Sequence, residues 1–206
     1  MSNLIKAFEI TQLHDTCITH WKKETISLNQ HDFLALIEEN HSFNFSLWMA
    51  EDKARRDDMG HAFVYQAKRE IDGFNQQRNN RMEAMDTWLY QALKPSADIT
   101  CPIHSETPGM MIDRLSILAL KIYHMAIQKN RTDVSDTHHQ SCEQKLQTLI
   151  AQRNQLAQCL QLFFDEICAK TRTFKVYHQF KMYNDPKLNP ELYNHQTNTL
   201  ETSERP

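Results

Sequence analysis

Glycine is nearly missing: three in 206 residues, at Gly60, Gly73 and Gly109. The six prolines stay out of the periodic runs, four of them at or after Pro108. So little turn chemistry leaves no basis for hairpins or a parallel sheet, and helix becomes the default. Cysteine is sparse and odd in number (Cys17, Cys101, Cys142, Cys159 and Cys168), with no CxxC pair. That pattern argues against a disulfide framework and a zinc knuckle, and predicts reduced thiols. No apolar run reaches the roughly 18 residues that a membrane helix needs. The start, MSNLIKAFEI, lacks the basic-then-apolar layout of a secretory leader. A cytoplasmic protein without a membrane span is expected. An excess of either charge is missing too: 23 basic against 26 acidic residues give −3, so no overall field selects nucleic acid, and no such partner is expected.

What the chain does have is helical periodicity, over a length suited to one domain (1–195) with a disordered tail (196–206). A first helix is read over residues 2–23. A second follows an Asn29 cap through Phe33, Leu34, Leu36 and Ile37, after which HSFNFS turns the chain. The proline-free stretch Ser46 to Leu93 reads as one very long helix, or two stacked in line, of roughly 72 Å. In it Val64, Ala67, Ile71, Phe74, Met82, Met85 and Leu89 form an apolar stripe. Beside that stripe Arg69, Asp72, Gln76, Asn79, Glu83 and Asp86 form a wholly polar one. Thr107-Pro108 starts a fourth helix. A fifth, about 138–170, carries the seam Cys142, Leu146, Leu149, Arg153, Leu156, Leu160, Phe163 and Ile167. Arg78 and Arg153 each stand where a seam wants an apolar residue. A buried guanidinium needs carboxylates, for which Asp72, Glu83, Asp86 and Asp113 are the candidates. The fold expected is an all-α antiparallel bundle of about five helices built round one long helix, closed by an irregular C-terminal cover segment.

Four blocks add a resemblance: LWMAEDKAR (47–55), KREIDGFNQQRNNRMEAMD (68–86), SETPGMMIDRLSILALKIYHM (105–125) and FKVYHQFKMYNDPKLNPELY (174–193). In order, they resemble the signature blocks of a bacterial family known as domain of unknown function 4254, over roughly residues 30–195. Met49-Ala50 departs from the bulkier polar pair expected there. The resemblance implies a helical, cytoplasmic protein associated with cell-envelope polysaccharide synthesis. It brings no catalytic residues.

The polar stripe suggests a site for a phosphorylated small molecule, such as a nucleotide-sugar or sugar phosphate. Lys68, Arg69 and Arg78 suit phosphate, and Asn75, Gln76 and Asn79 suit hydroxyls or base edges. Asp113, Arg114, Arg153 and Lys181 of the aromatic and basic C-terminal run complete the expected groove. Glu83 or Asp86 is the candidate general base, and Asp72, Glu83 and Asp86 are candidates for magnesium bridging a phosphate. No Glu-x-x-His pair supports a di-metal bundle, and no nucleophile turn supports covalent catalysis. The competing expectation is a non-enzymatic interaction or scaffold protein, with the polar stripe and the C-terminal aromatics forming a homodimer or partner interface. The two diverge at Arg78 and Arg153: internal carboxylates saturating both, with no adjoining cleft, favour the scaffold.

Overall fold

A computed structural model describes residues 5–180, 182 and 185–193. Lys181 and the tail expected over 196–206 lie outside the described residues. Five α-helices follow one another: α1 Ala7–Trp21, α2 Asp32–Lys53, α3 His61–Leu93, α4 Pro108–Lys129 and α5 Asp136–Cys168. A single 3-10 turn, Asp57–Met59, sits between α2 and α3. The all-α bundle read from the sequence is the architecture found.

The expected in-line helix from Ser46 to Leu93 is corrected. The chain leaves the helix after Lys53, Arg56 turns back to grip the Asp58 carboxylate at 2.6–2.7 Å, and Gly60 takes φ +85°. A left-handed residue is inexpensive only for glycine, so Gly60 is where the direction reverses. Helix α3 therefore returns along α2 as a hairpin instead of continuing it. The expected turn at HSFNFS is also corrected, because those residues lie in the middle of α2. Their polar side chains His41, Ser42 and Asn44 are buried. Weak helix formers are tolerated there because partners from α1 and α4 satisfy His41 and Asn44, a tertiary override of local propensity, while Ser42 donates to the Glu39 carbonyl of its own helix. Asn29 does not cap α2. Its backbone N–H, and that of Gln30, each donate to Glu38 Oε2 at 2.8 Å.

The two main pairings are the hairpins α2–α3 and α4–α5, and α4 packs against all four other helices. The principal core joins Ile10, Ile37, Met85, Leu89, Ile112, Leu115, Leu160, Phe163, Phe164 and Phe174, all but fully buried. Each such side chain is worth about 1.5–3 kcal/mol relative to exposure, which outweighs the propensity costs within the helices. A second cluster under α1 gathers Cys17, Ile18, Trp21, Phe45, Ala119 and Leu120. A third, Leu47, Ala50 and Ile71, belongs to the α2–α3 hairpin alone. The cover segment is anchored where Thr173 exchanges backbone hydrogen bonds with Pro102 and His104, at 3.0 and 2.8 Å. Phe174 then plugs the bundle end beside Phe163 and Tyr90. Beyond it Phe180 stands 83% exposed. No helix among the described residues is long and apolar enough to cross a membrane.

Candidate functional site

Arg78 is drawn into the bundle by a buried acid. Its Nε and Nη2 donate to Asp113 Oδ1 and Oδ2 at 2.8 and 2.5 Å, a bidentate pair whose carboxylate is 2% exposed. Asp113 Oδ1 also accepts from the amides of Asn40, at 3.1 Å, and Asn44, at 2.9 Å. Asn44 donates onward to Ser116 Oγ at 2.9 Å. His41 closes the chain, with Nε2 3.1 Å from the His14 carbonyl and Nδ1 2.7 Å from Ser116 Oγ. A carbonyl only accepts, so Nε2 carries the hydrogen and Ser116 donates to Nδ1. His41 is thus neutral and held in one tautomer. Burial pushes its pKa down to about 3. His14, its ring 4.5 Å from that of His41 and tilted 36° to it, is wholly buried, and neither ring nitrogen has a partner among the described residues. Burial, then His41 and Arg153, holds its pKa well below the usual histidine range. Arg153 donates through Nη1 to Asp15 at 2.7 Å. Pairing with Asp113 commits Nε and Nη2 of Arg78, and Arg78 lines none of the three clefts described below.

The two candidate acids of α3 are also engaged. Asp86 accepts from Thr107 Oγ1 at 2.5 Å and from Gly109 N at 2.6 Å, so it serves the free amide end of α4 alongside the Thr107 cap, which itself accepts from Met110 N. Burial is the larger influence on Asp86 and raises its pKa to about 6. Gly109 has no room for a side chain: a Cβ would lie 2.6 Å from the Met82 carbonyl oxygen and 2.7 Å from Asp86 Oδ1. The TPG triplet is therefore a docking device between α3 and α4. Glu83 accepts from His178 Nδ1 at 2.5 Å and Gln179 N at 3.1 Å, tying down the cover segment, and the His178 contact lowers its pKa.

The rest of the stripe does not converge. Lys68, Arg69 and Asp72 are solvent-facing and pair with each other at 3.2–4.0 Å. Gln76 donates to Asn80 at 2.9 Å, and Asn75 and Asn79 are half-buried along the same helix. Among the described residues no three His, Cys, Asp or Glu side chains gather as a metal site. Asp72, Glu83 and Asp86 have separate partners. Arg114 lies on another face of the bundle, its Nη1 donating to both Glu106 oxygens at 2.6 and 2.8 Å.

Two clefts lie on that other face, and a further one of about 450 Å³ runs along α3 past Leu36, Asn80, Glu83, Thr87 and Trp88. Between the C-terminal half of α2 and the α4–α5 hairpin is a cleft of about 700 Å³, lined by Trp48, Asp52, Lys121, His124, Lys145 and Gln152 among others. That volume is in the range of ligand sites. Trp48 and His124 stack at 4.3 Å, with 10° between their planes. His124 Nε2 is buried without a partner among the described residues, and burial lowers its pKa. Neither Lys121 nor Lys145 makes an ion pair or hydrogen bond with a described residue. A second cleft, about 630 Å³, shares Lys121 and Gln152 with the first and runs on past Arg114, Glu106, His104 and Gln155. The sequence did carry a signal for this wall. Lys145, Thr148, Gln152, Gln155 and Cys159 recur at steps of three and four beside the leucine seam of α5.

Among known proteins, the family model described as Protein of unknown function (DUF4254) matches residues 34–176. No curated protein matches the chain, and neither does any solved structure. The matched span takes in α2 to α5, the Asp113 network, the TPG dock, both clefts and the Phe174 plug. With well over half its length covered, the chain belongs to the family of proteins of unknown function DUF4254.

Proposed function

We propose that this protein binds a phosphorylated small molecule, a sugar phosphate or nucleotide-sugar, and that it does so in the cleft between the two hairpins and not on the polar stripe of α3. One observation carries the reading: two lysines without counter-ions among the described residues, Lys121 and Lys145, flank a stacked Trp48–His124 pair in a ligand-sized cleft. Unpaired ammonium groups beside an apolar ring surface attract an anion that also has something to stack. Amides of Gln128, Gln144 and Gln152 in the same walls offer hydrogen bonds to hydroxyls. The envelope-polysaccharide association implied by the family resemblance is in keeping with such a ligand. The stripe, by contrast, has Arg78 bound to Asp113, Asp86 bound to Thr107 and Gly109, and Glu83 bound to His178.

Thermal denaturation with nucleotides, nucleotide-sugars and sugar phosphates, with and without magnesium, tests the proposal. A ligand at 100 times its Kd adds about 2.7 kcal/mol, which is a rise in Tm of roughly 5–10 °C for a chain this size. The rise is expected to vanish in Lys121→Ala/Lys145→Ala and to persist in Lys68→Ala/Arg69→Ala. A shift lost in the second pair and kept in the first returns the site to α3. The second reading, a non-enzymatic interaction protein, draws on the outward-facing Tyr177 and Phe180 beyond the Phe174 plug. It is favoured if no anionic ligand shifts Tm and the chain self-associates in sedimentation through those aromatics.

A further inference from the structure

The two clefts meet at a shared pair of residues, and their outer ends differ in chemistry. Lys121 and Gln152 line both, so the two clefts adjoin at Lys121, a cation with no partner among the described residues. At one end stand the Trp48–His124 stack and the unpartnered His124 Nε2. At the other, Glu106 holds Arg114 by one nitrogen, leaving the rest of that guanidinium available, and Gln155 lies across the gap on α5. Along α4 the wall from Arg114 to Met125 covers eleven steps, about 16 Å of helix. A planar heterocycle suits the first end. Charge suits the Lys121 junction, and carboxylate, guanidinium and amide together suit the vicinal hydroxyls of a sugar.

We infer that the ligand is a single two-part molecule, a nucleoside diphosphate carrying a sugar, lying lengthwise through both clefts with its base at Trp48 and His124, its diphosphate at Lys121 and its sugar at Arg114, Glu106 and Gln155. This rests on the anion-binding reading above and narrows it. A sugar phosphate leaves the aromatic end wet, and a bare nucleotide leaves the Arg114 end unfilled. Joining the two halves in one molecule makes occupation of the second end intramolecular, so the whole binds more tightly than either part.

Isothermal titration of the full chain with UDP-glucose and GDP-mannose, each beside its own nucleoside diphosphate, its own sugar 1-phosphate and inorganic phosphate, decides the matter. At least one sugar nucleotide is expected to bind on the order of tenfold or more tightly than either of its halves. Gln155→Leu, an exposed position, is expected to bring that sugar nucleotide down to the affinity of its nucleoside diphosphate while leaving the latter unchanged. Trp48→Leu should weaken the nucleoside diphosphate and spare the sugar 1-phosphate. Because Trp48 also packs against the core, Lys145→Ala serves as a surface variant that should weaken the nucleotide half. A sugar 1-phosphate that binds as tightly as its sugar nucleotide, or a Gln155→Leu chain that retains the tenfold advantage, overturns the two-part ligand and leaves the anion site standing. Absence of binding by every anion overturns both.

Discussion

Acid should loosen this protein through His41, and the size of the effect can be worked out. The neutral ring is locked between the His14 carbonyl and the Ser116 hydroxyl, with Asn44 already donating to that hydroxyl. A proton on Nδ1 would face an oxygen whose own hydrogen then has nowhere to go. Burial accordingly takes the folded pKa from 6.5 to about 3. A depressed histidine pKa means that the unfolded chain takes up the proton first. Stability is therefore intact above pH 6.5 and is lost as pH falls below it. At pH 5 the unfolded ring is almost fully charged and the folded one neutral, a difference of about 1.5 logarithmic units, or roughly 2 kcal/mol. His14 acts in the same direction. Asp86 acts in the opposite one: its folded pKa, raised from 3.8 to about 6, makes the native state relatively more stable as pH falls through that window. A wild-type pH profile alone would mix the two, so the measurement is a difference. Urea denaturation of wild type and His41→Gln at pH 8 and pH 5 should show the wild type losing about 2 kcal/mol more than the variant. Parallel profiles, or a His41 imidazole that titrates near 6.5 by NMR in the folded protein, would refute the reasoning.

Gly109→Ala should destabilise by about 1–3 kcal/mol, measured by urea denaturation, because the new methyl would lie 2.6 Å from a backbone carbonyl oxygen, which cannot swing aside as a side-chain end can. Asp113→Leu should cost about 3–5 kcal/mol by leaving the Arg78 guanidinium without its carboxylate, and the double variant Asp113→Leu/Arg78→Leu should recover much of that loss. Additive costs in that double-mutant cycle would mean the two side chains do not depend on each other.

The helices were legible because periodicity in apolar residues is a direct record of burial. Thr107-Pro108 was legible because a cap has a fixed chemistry, and the Thr107 hydroxyl does accept from Met110 N. Two local readings failed for reasons of the same kind. Residues 46–53 and 61–93 share one helical period, so a reversal between them leaves no mark beyond Asp57, Asp58 and Gly60. HSFNFS looks like turn material because its polar groups advertise unmet hydrogen bonds, yet His41 and Asn44 find partners more than sixty residues away on α4. The same limit applies to the polar stripe of α3. A polar stripe on a helix shows where apolar packing is absent. It cannot show whether the polar groups meet water, a ligand or a buried acid. The pairing of Arg78 with a carboxylate was anticipated, and Asp113 was among the four acids named for it. The use of Asp86 as a cap for another helix was not, because the one amide it serves, Gly109 N–H, belongs to a backbone and has no signature in the sequence.

The two polar faces of α4 connect the network to the cleft. Asp113 and Ser116 point towards α2 and α3, whereas Arg114, Lys121 and Met125 lie on the cleft side, a rotation of about 100° round the same helix. An apolar interface alone would let α4 roll by a fraction of that angle at little cost, since hydrophobic contact is not directional. Hydrogen bonds are. Asn40, Asn44 and Arg78 converge on the Asp113 carboxylate, while Asp86 and Gly109 fix the helix at its amide end. Those two attachments set how far round α4 presents Lys121, and with it the spacing between Lys121 and the Trp48 ring carried by α2. The residues that first suggested a binding site on α3 thus fix the orientation of the α4 wall of the cleft.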